Sequence, residues 1–333
     1  MRAKKQIIFS VILVLASTLF SLAAGEVVLR LKNSSMTNYD IEMWRYSNEL
    51  KVKSGNPDIA FTHRRDSSSL LQSVTIRTND MGLRGGPIEP LPPGGRRILF
   101  LGGSITLGWG VAEKDTLTSR LEQKFRAEGQ NVQVLNGGVG NYNAVRYTSR
   151  FFDELTPLKP TDIVVHYFLR DAEELEPGGG NFLLENSELA VTMWIAKNRL
   201  FDPSGENVLT DHYREVYDKN APGFLAMKEQ LKKLAAYAKA NNIRLYLAMM
   251  PDIHNLKDYK FGYIHEIMRG VAAEYGYQYI DLLPSMQGRP PEELFAMPGD
   301  PHPNALGHKL MADALFPVLQ LGNVGAQRSL SAH

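Results

Sequence analysis

Cysteine is missing from this 333-residue sequence. Its absence excludes disulfide bonds, thiolate metal sites, a cysteine nucleophile and anchoring through a lipidated cysteine. The chain also lacks an excess of charge of one sign, because 37 basic side chains balance 36 acidic ones. Nucleic-acid binding requires a concentrated basic surface, so the composition predicts no nucleic-acid partner.

Internal repeats and low-complexity tracts are absent as well. Hydrophobic residues make up 44% of the sequence and charged residues 22%, close to the average for globular proteins. These values exclude a disordered, collagen-like or coiled-coil chain. The length fits one large domain with an appendage, or two small domains.

One long uncharged run is present, the eighteen residues Ile7–Ala24. Basic residues precede it, a pattern typical of secretory signals, and the run is just long enough to span a bilayer. Residues 1–25 therefore predict a signal peptide or, because the apolar pattern continues through Val27–Leu31, a signal-anchor. The basic end should stay in the cytoplasm. We expect an exported protein held in the cell membrane by one N-terminal helix, or a periplasmic or secreted protein if the segment is cleaved.

The rest of the chain divides by its composition. Residues 26–95 are mostly polar and predict a juxtamembrane extension that ends in a loop rich in proline and glycine. The main domain is predicted over 96–320, followed by a tail at 321–333. Within the domain, residues 177–223 form a long insertion that contains an apolar helix, and such insertions often shape active sites.

Short apolar runs alternate with helical patterns through the main domain. The predicted strands are Ile98–Leu101, Val132–Leu135, Ile163–Leu169, Ile243–Met250 and Tyr277–Leu282. The predicted helices are Thr118–Glu128, Val145–Leu155, Phe224–Ala240, Tyr259–Tyr275 and Asn304–Leu319. This alternation predicts an α/β fold with a mostly parallel, flavodoxin-like sheet of five strands covered by helices. The active site of such a sheet lies beyond the carboxyl ends of its strands.

Ser104 follows the first predicted strand and two glycines. Glycines allow a sharp turn and close substrate approach, and a serine becomes a nucleophile once a base takes its proton. A phosphate loop is excluded because no lysine lies between Gly102 and Gly110. The G-x-S-x-G elbow is excluded because Thr106 occupies the position of its second glycine. The alternative role for Ser104 is that of a helix N-cap.

His302 is the candidate base, and Asp300 two residues earlier can project on the same side. An Asp-x-His sequence is common in polar loops, so a solvated histidine is the alternative. His302 could also be a metal ligand together with Asp252 and His254. No helical motif with two histidines is present, however, so the sequence predicts neither a metal nor a cofactor.

Four blocks of the sequence resemble, in the same order, those of the SGNH/GDSL hydrolases. They are ILFLGGSITLGWGV at 98–111, VLNGGVGNYN at 134–143, DIVVHYFLRDAEE at 162–174 and DPHPNALGHKLMADAL at 300–315. The resemblance covers residues 78–319, and four ordered blocks are more specific than one. It implies a three-layer α/β/α sandwich.

The resemblance also implies roles for individual residues. Ser104 would be the nucleophile, His302 the general base and Asp300 the acid that orients the base. The oxyanion hole would include backbone N–H groups of Ser104 and of the Gly140–Asn141 turn. In the family the acid stands three residues before the histidine, where this sequence has Gly299.

Arg170 stands where the family has an oxyanion-binding asparagine. Its guanidinium could donate to the same oxygen, or it could pair with Asp171, Glu173 or Glu174 and shape the loop. In the second case Asn141 or Asn143 would supply the donor.

The resemblance implies a serine esterase or O-acyltransferase that acts on an acylated small molecule or, by analogy with alginate-type acetylation proteins, an acylated polysaccharide. Water as the acceptor would make the protein an esterase, and a sugar hydroxyl would make it a transferase. The alternative is a catalytically inactive glycan-binding or assembly protein of an envelope polysaccharide pathway. The sequence does not indicate an oligomeric state.

Overall fold

The computed structural model describes residues 2–175, 182–201, 206–297 and 302–330. They form two compact units. The helical unit contains the described residues of Met1–Asn48 and Gly179–Pro203, and the sheet unit contains those of Glu49–Gly178 and Ser204–His333. Part of the predicted insertion at 177–223 therefore belongs to the same unit as the N-terminal segment.

The elements are numbered along the chain. The helices are α1 (Arg2–Asn33), α2 (Tyr39–Leu50), α3 (Ser104–Leu107), α4 (Leu117–Ala127), α5 (Ala144–Arg150), α6 (Phe182–Asn186), α7 (Glu188–Phe201), α8 (Glu206–Val216), α9 (Pro222–Ala240), α10 (Gly262–Tyr275), α11 (Leu283–Met286) and α12 (Ala305–Leu330). The strands are β1 (Lys51–Lys53), β2 (Phe61–His63), β3 (Ser68–Leu71), β4 (Val74–Arg77), β5 (Arg96–Gly102), β6 (Val132–Asn136), β7 (Asp162–Tyr167), β8 (Arg244–Met249) and β9 (Gln278–Asp281). A π-helical turn continues α5 over Phe151–Leu155.

The sheet unit is built around five parallel strands in the spatial order β6-β5-β7-β8-β9. In chain order this is 2-1-3-4-5, the flavodoxin-like arrangement. Every residue of β7 is buried, which explains why its sequence is a nearly continuous apolar run. The predicted fold class is confirmed.

Alternate residues of each strand point to opposite faces of the sheet, and each face carries its own core. On one face, Leu99, Leu101 and Val165 pack in a cluster that includes residues of α5, α9 and α10. On the other face, Ile98 and Phe100 belong to a second cluster, with residues of α4 and α12. The sheet is thus the middle layer of an α/β/α sandwich.

Helix α4 shows how the local sequence determines such a layer. The Thr116 side chain caps its first turn by accepting a hydrogen bond from the Ser119 N–H. Leu117, Leu121 and Phe125, spaced four residues apart, are all buried. The helix therefore turns one apolar stripe toward the sheet.

The structure differs from the sequence prediction at several element ends. The strand predicted over Ile163–Leu169 ends at Tyr167, because residues Leu169–Ala172 form a 3₁₀ turn. The last helix continues past the predicted Leu319 to Leu330 and contains Pro317. The extension holds α2 and two antiparallel hairpins, β1–β2 and β3–β4, none of which the sequence pattern showed.

The helical unit contains α1, α6, α7 and most of α2. Trp44 Nε1 of α2 donates to the Leu184 carbonyl oxygen, and Asn48 Nδ2 donates to that of Glu185. These bonds join α2 to α6. Helix α1 is long and apolar enough to cross a bilayer, and none of its apolar stretch is buried. Composition and length are also compatible with a signal sequence.

Candidate active site

Ser104 is the first residue of α3 and directly follows β5 and Gly103. Gly103 is the N-cap residue, with no side-chain capping bond, so Ser104 is not the N-cap of this helix. The serine lies at the carboxyl end of a strand that has neighbours on both sides. This is the edge of the sheet where α/β folds place their active sites.

Glycines allow the first two sequence blocks to approach each other closely around Ser104. A Cβ atom on Gly102 would overlap Thr106 Oγ1 and lie 2.8 Å from the His166 carbonyl oxygen. A Cβ atom on Gly138 would overlap the backbone of α3 at Leu107. Larger residues at Gly102 or Gly138 would therefore displace the turn that carries the serine.

His302 contacts Ser104 directly, with 2.7 Å between His302 Nε2 and Ser104 Oγ. The histidine is only 7% exposed. Its segment is fixed to a neighbouring one, because the Ala296 N–H donates to the His302 carbonyl oxygen and Asn304 Nδ2 donates to that of Glu293. The structure thus brings together two residues that are 198 positions apart in the chain.

Of the candidate acids, Asp300 lies outside the described residues. Asp252 is buried, and both of its carboxylate oxygens lie 3.0 Å from His254 Nδ1. The Asp252–His254 pair follows β8, whereas His302 precedes α12.

The Gly140–Asn141 turn lies in the second block. Asn141 is exposed and has a left-handed φ of 63°, a conformation that asparagine tolerates better than most residues. Buried Lys51 donates from Nζ to the Gly140 carbonyl oxygen at 2.8 Å. Burial, reinforced by the charge of Arg146, holds the pKa of Lys51 well below its usual value. Lys51 thus ties the extension to this turn.

Arg170 lies in the 3₁₀ turn after β7 and donates from Nε to Glu173 Oε2 at 3.0 Å. Its side chain is 53% exposed. Glu173 also has its Oε1 atom 3.1 Å from His212 Nε2. Asn143 caps α5 with its amide oxygen, and its Nδ2 donates to the Glu173 carbonyl oxygen. Asn143 therefore connects the second block to the third.

Asp171, the residue after Arg170 in the sequence, is buried. Its carboxylate accepts a hydrogen bond from the Phe168 N–H at 3.2 Å. Burial raises the pKa of Asp171 well above its usual value. Of the three acidic residues predicted as possible partners of Arg170, Glu173 is the one that accepts a hydrogen bond from its Nε atom.

Two buried histidines contact the residues that follow Ser104 in the chain. His166 in β7 has Nδ1 3.1 Å from Thr106 Oγ1, and burial lowers its pKa to about 4. His308 accepts the Leu117 N–H at Nδ1. Burial, followed by the charge effect of His166, lowers the pKa of His308 well below its usual value. Both rings are therefore neutral at physiological pH.

These histidines predict a loss of stability in mild acid. An unfolded histidine binds a proton near pH 6.5, whereas His166 in the folded protein does so only near pH 4. Its contribution is therefore complete above about pH 6.5 and is lost as the pH falls toward 4, by at most about 1.4 kcal/mol per pH unit. Buried Asp171 has the opposite shift and acts in the opposite direction.

We expect the free energy of unfolding, measured with denaturant, to fall as the pH is lowered from 6.5 to 4. The variant His166→Asn should reduce this dependence on pH by up to about 1.4 kcal/mol per pH unit. Asparagine keeps a polar partner for Thr106 but does not titrate. Equal pH slopes in the two proteins would contradict the assignment of the proton to His166.

Arg84, like Lys51, is a supporting residue that was not found from the sequence. Arg84 is buried, and its guanidinium donates to the carbonyl oxygens of Gly108 and Val111 at 2.6 Å each. It thereby holds the loop that follows the nucleophile turn. Arg84 lies in a glycine-rich turn of the sequence, where nothing in the pattern distinguishes a buried arginine from an exposed one.

The part of the chain that the structure describes contains no cluster of three histidine or acidic side chains that could hold a metal ion.

Residues 100–310, more than half of the chain, match the model of the GDSL-like Lipase/Acylhydrolase family. A search of curated proteins finds no match.

Several solved structures are similar to this chain. A catalytic mutant of an acetylxylan esterase from Geobacillus stearothermophilus has 15% identity and a TM-score of 0.45, with 67% of this chain and 93% of the esterase covered. The psychrotrophic esterase EstA from a Pseudoalteromonas species has 14% identity and a TM-score of 0.41, with 68% and 97% covered.

Proposed function

Since the chain belongs to the GDSL-like lipase/acylhydrolase family and is an ester-bond hydrolase, we propose that Ser104 is its nucleophile and His302 its general base. The observation that carries this proposal is the 2.7 Å distance between Ser104 Oγ and His302 Nε2. A hydroxyl and an imidazole at this distance can transfer a proton without rearrangement.

The proposed reaction has two steps. Ser104 Oγ attacks the ester carbonyl carbon while His302 Nε2 takes its proton, and the imidazolium then protonates the departing alcohol. Water, or a sugar hydroxyl in a transferase, next gives its proton to His302 and attacks the acyl-serine. Collapse of the second intermediate releases the acid or the new ester and returns the proton to Ser104. Asp300 is the proposed partner of His302 Nδ1.

The attack on the ester and the later attack on the acyl-serine each form a tetrahedral intermediate. Each of these carries a negative charge on the former carbonyl oxygen. We assign its stabilisation to the backbone N–H groups of Ser104 and the Gly140–Asn141 turn, together with the Arg170 guanidinium. A guanidinium has five N–H donors, and the contact with Glu173 engages its Nε. Glu173 would thus hold the arginine while another N–H reaches the oxyanion.

The proposed substrate is an acylated polysaccharide outside the cytoplasm. Helix α1 supports the location, because its length and composition suit a membrane anchor or an export signal. The polysaccharide rests on the resemblance to alginate-type acetylation proteins. An esterase and an O-acyltransferase would share the same acyl-serine and differ only in the acceptor that enters the site.

Covalent labelling tests the proposal. A fluorophosphonate probe is expected to modify the full-length protein at Ser104, because phosphonylation requires a serine activated by a base. Mass spectrometry of the digested protein would locate the adduct. Exposed Ser68 is an internal control for non-specific reaction. A folded protein that carries no adduct on Ser104 would instead fit the inactive glycan-binding alternative.

A further inference from the structure

Helix α7 begins on the C-terminal part of α1. The Glu26 carboxylate of α1 accepts hydrogen bonds from Ser187 Oγ at 2.8 Å and from the N–H groups of Glu188 and Leu189 at 3.1 and 3.0 Å. The first N–H groups of a helix have no partner within that helix. A side chain of α1 therefore caps α7, although about 160 residues separate them.

Other contacts place the start of α7 along α1. Asn33 Nδ2 donates to Glu188 Oε2 at 2.8 Å in a buried bond, and Arg30 donates to the Asn186 carbonyl oxygen. The α1 residues in these contacts follow directly on the apolar run, which ends at Ala24. At 1.5 Å per residue, Glu26 and Asn33 lie about 3 and 14 Å beyond that end. If α1 crosses a bilayer, α7 begins at its surface.

Helices α6 and α7 carry several large apolar side chains that are exposed at the surface of the helical unit. These residues are Phe182, Leu183, Met193, Trp194 and Leu200, with Trp194 52% and Leu200 82% exposed. Outside α1, the other exposed large apolar residues in the described ranges are Leu70, Val208, Leu225 and Leu321, all in the sheet unit. The helical unit thus concentrates exposed apolar side chains next to the apolar run.

We propose that α6 and α7 lie in the outer interface of the bilayer that α1 crosses, with Met193, Trp194 and Leu200 in contact with lipid. The proposal rests on the proposed export of the protein and on retention of α1 as an anchor. Tryptophan prefers the membrane interface, where its ring is apolar and its N–H can reach water. The same layer accepts the apolar side chains of short helices that do not span the membrane.

Tryptophan fluorescence can test this contact, because the chain has only Trp44, Trp109 and Trp194. Trp109 is buried in the sheet unit, and Trp44 donates to Leu184. The full-length protein would be reconstituted in phosphatidylcholine vesicles with bromine near the headgroup end or near the methyl end of the acyl chains. We expect headgroup-end bromine to quench more strongly.

The conservative variant Trp194→Phe should lose at least half of that quenching, whereas the matched variant Trp44→Phe should keep most of it. Equal quenching of wild type and Trp194→Phe would overturn the proposal, as would failure of the protein to float with the vesicles. Fluorophosphonate labelling of the same samples separates this inference from the proposed catalysis. Labelling without Trp194 quenching overturns the membrane contact alone, and quenching without labelling supports the contact while contradicting the esterase.

Discussion

Ser104→Ala and His302→Ala should each lower the hydrolysis of short aryl esters by about four orders of magnitude or more, and the double variant should be no slower than either. The reason is that the two residues act as one unit. Without His302 the hydroxyl keeps its proton, and without Ser104 the imidazole has no nucleophile to activate. The residual rate would come from the oxyanion donors and from substrate binding.

The measurement is turnover per folded molecule for the four proteins, with thermal melting to confirm the fold. Ser68→Ala is the control, because Ser68 is exposed on β3 and should leave turnover unchanged. Retention of more than about a tenth of the activity in Ser104→Ala would rule out the serine mechanism. If the double variant were much slower than both single variants, the two residues would contribute independently, which contradicts the proposed proton transfer.

Arg170→Ala should lower turnover by roughly a hundredfold or more with little change in substrate affinity, the usual loss for one oxyanion donor. The charge on the oxygen develops in the intermediate, so the arginine would act after binding. Arg170→Asn should recover part of the loss, because an amide N–H can also donate. Steady-state kinetics with an aryl ester would give kcat and KM separately.

Arg269→Ala is the matched control for this prediction. Arg269 is 50% exposed and pairs with Glu266 three residues earlier, whereas Arg170 is 53% exposed and pairs with Glu173 three residues later. Exposed pairs of this kind contribute about 0.2–1 kcal/mol to stability. If both variants kept normal turnover per folded molecule and melted slightly earlier, Arg170 would only shape its loop, and Asn141 or Asn143 would have to be the remaining donor.

The central sheet could be predicted because its inner strands β5 and β7 are buried on both faces. Ile98–Leu101 and Ile163–Tyr167 are nearly continuous apolar runs, as expected of parallel strands covered on both faces. The strand order then follows from right-handed crossovers and from the family resemblance. These constraints act over the whole domain, so the differences at element ends do not change the fold.

The hairpins of the extension could not be predicted in this way. Strands β3 and β4 are four residues each, and Gln72 and Ser73 join them with φ angles of 48° and 62°. A turn with two positive φ angles usually requires asparagine or glycine, which is what a sequence search recognises. Tertiary contacts must hold these two residues in a conformation that their side chains disfavour.

The candidate site also contains some residues that could be predicted from the sequence and others that could not. Ser104 and His302 could be found because they lie in the first and last of the four ordered blocks, and the structure places them in hydrogen-bond contact. The buried supports Lys51 and Arg84 could not, because both come from the polar extension and act through backbone carbonyl oxygens. Every residue has a backbone carbonyl oxygen, so the residue type of the acceptor does not reveal such a hydrogen bond in the sequence.

The cap that Glu26 provides for α7 also sets an order of events during synthesis. Ser187 emerges from the ribosome 161 residues after Glu26, which at 5–20 residues per second is roughly 8–30 s later. Until then α1 has no partner among residues 187–189, and the chain between them can fold around the central strands. The helical unit can therefore assemble only after β5, β6 and β7 have been made, although it contains helix α1.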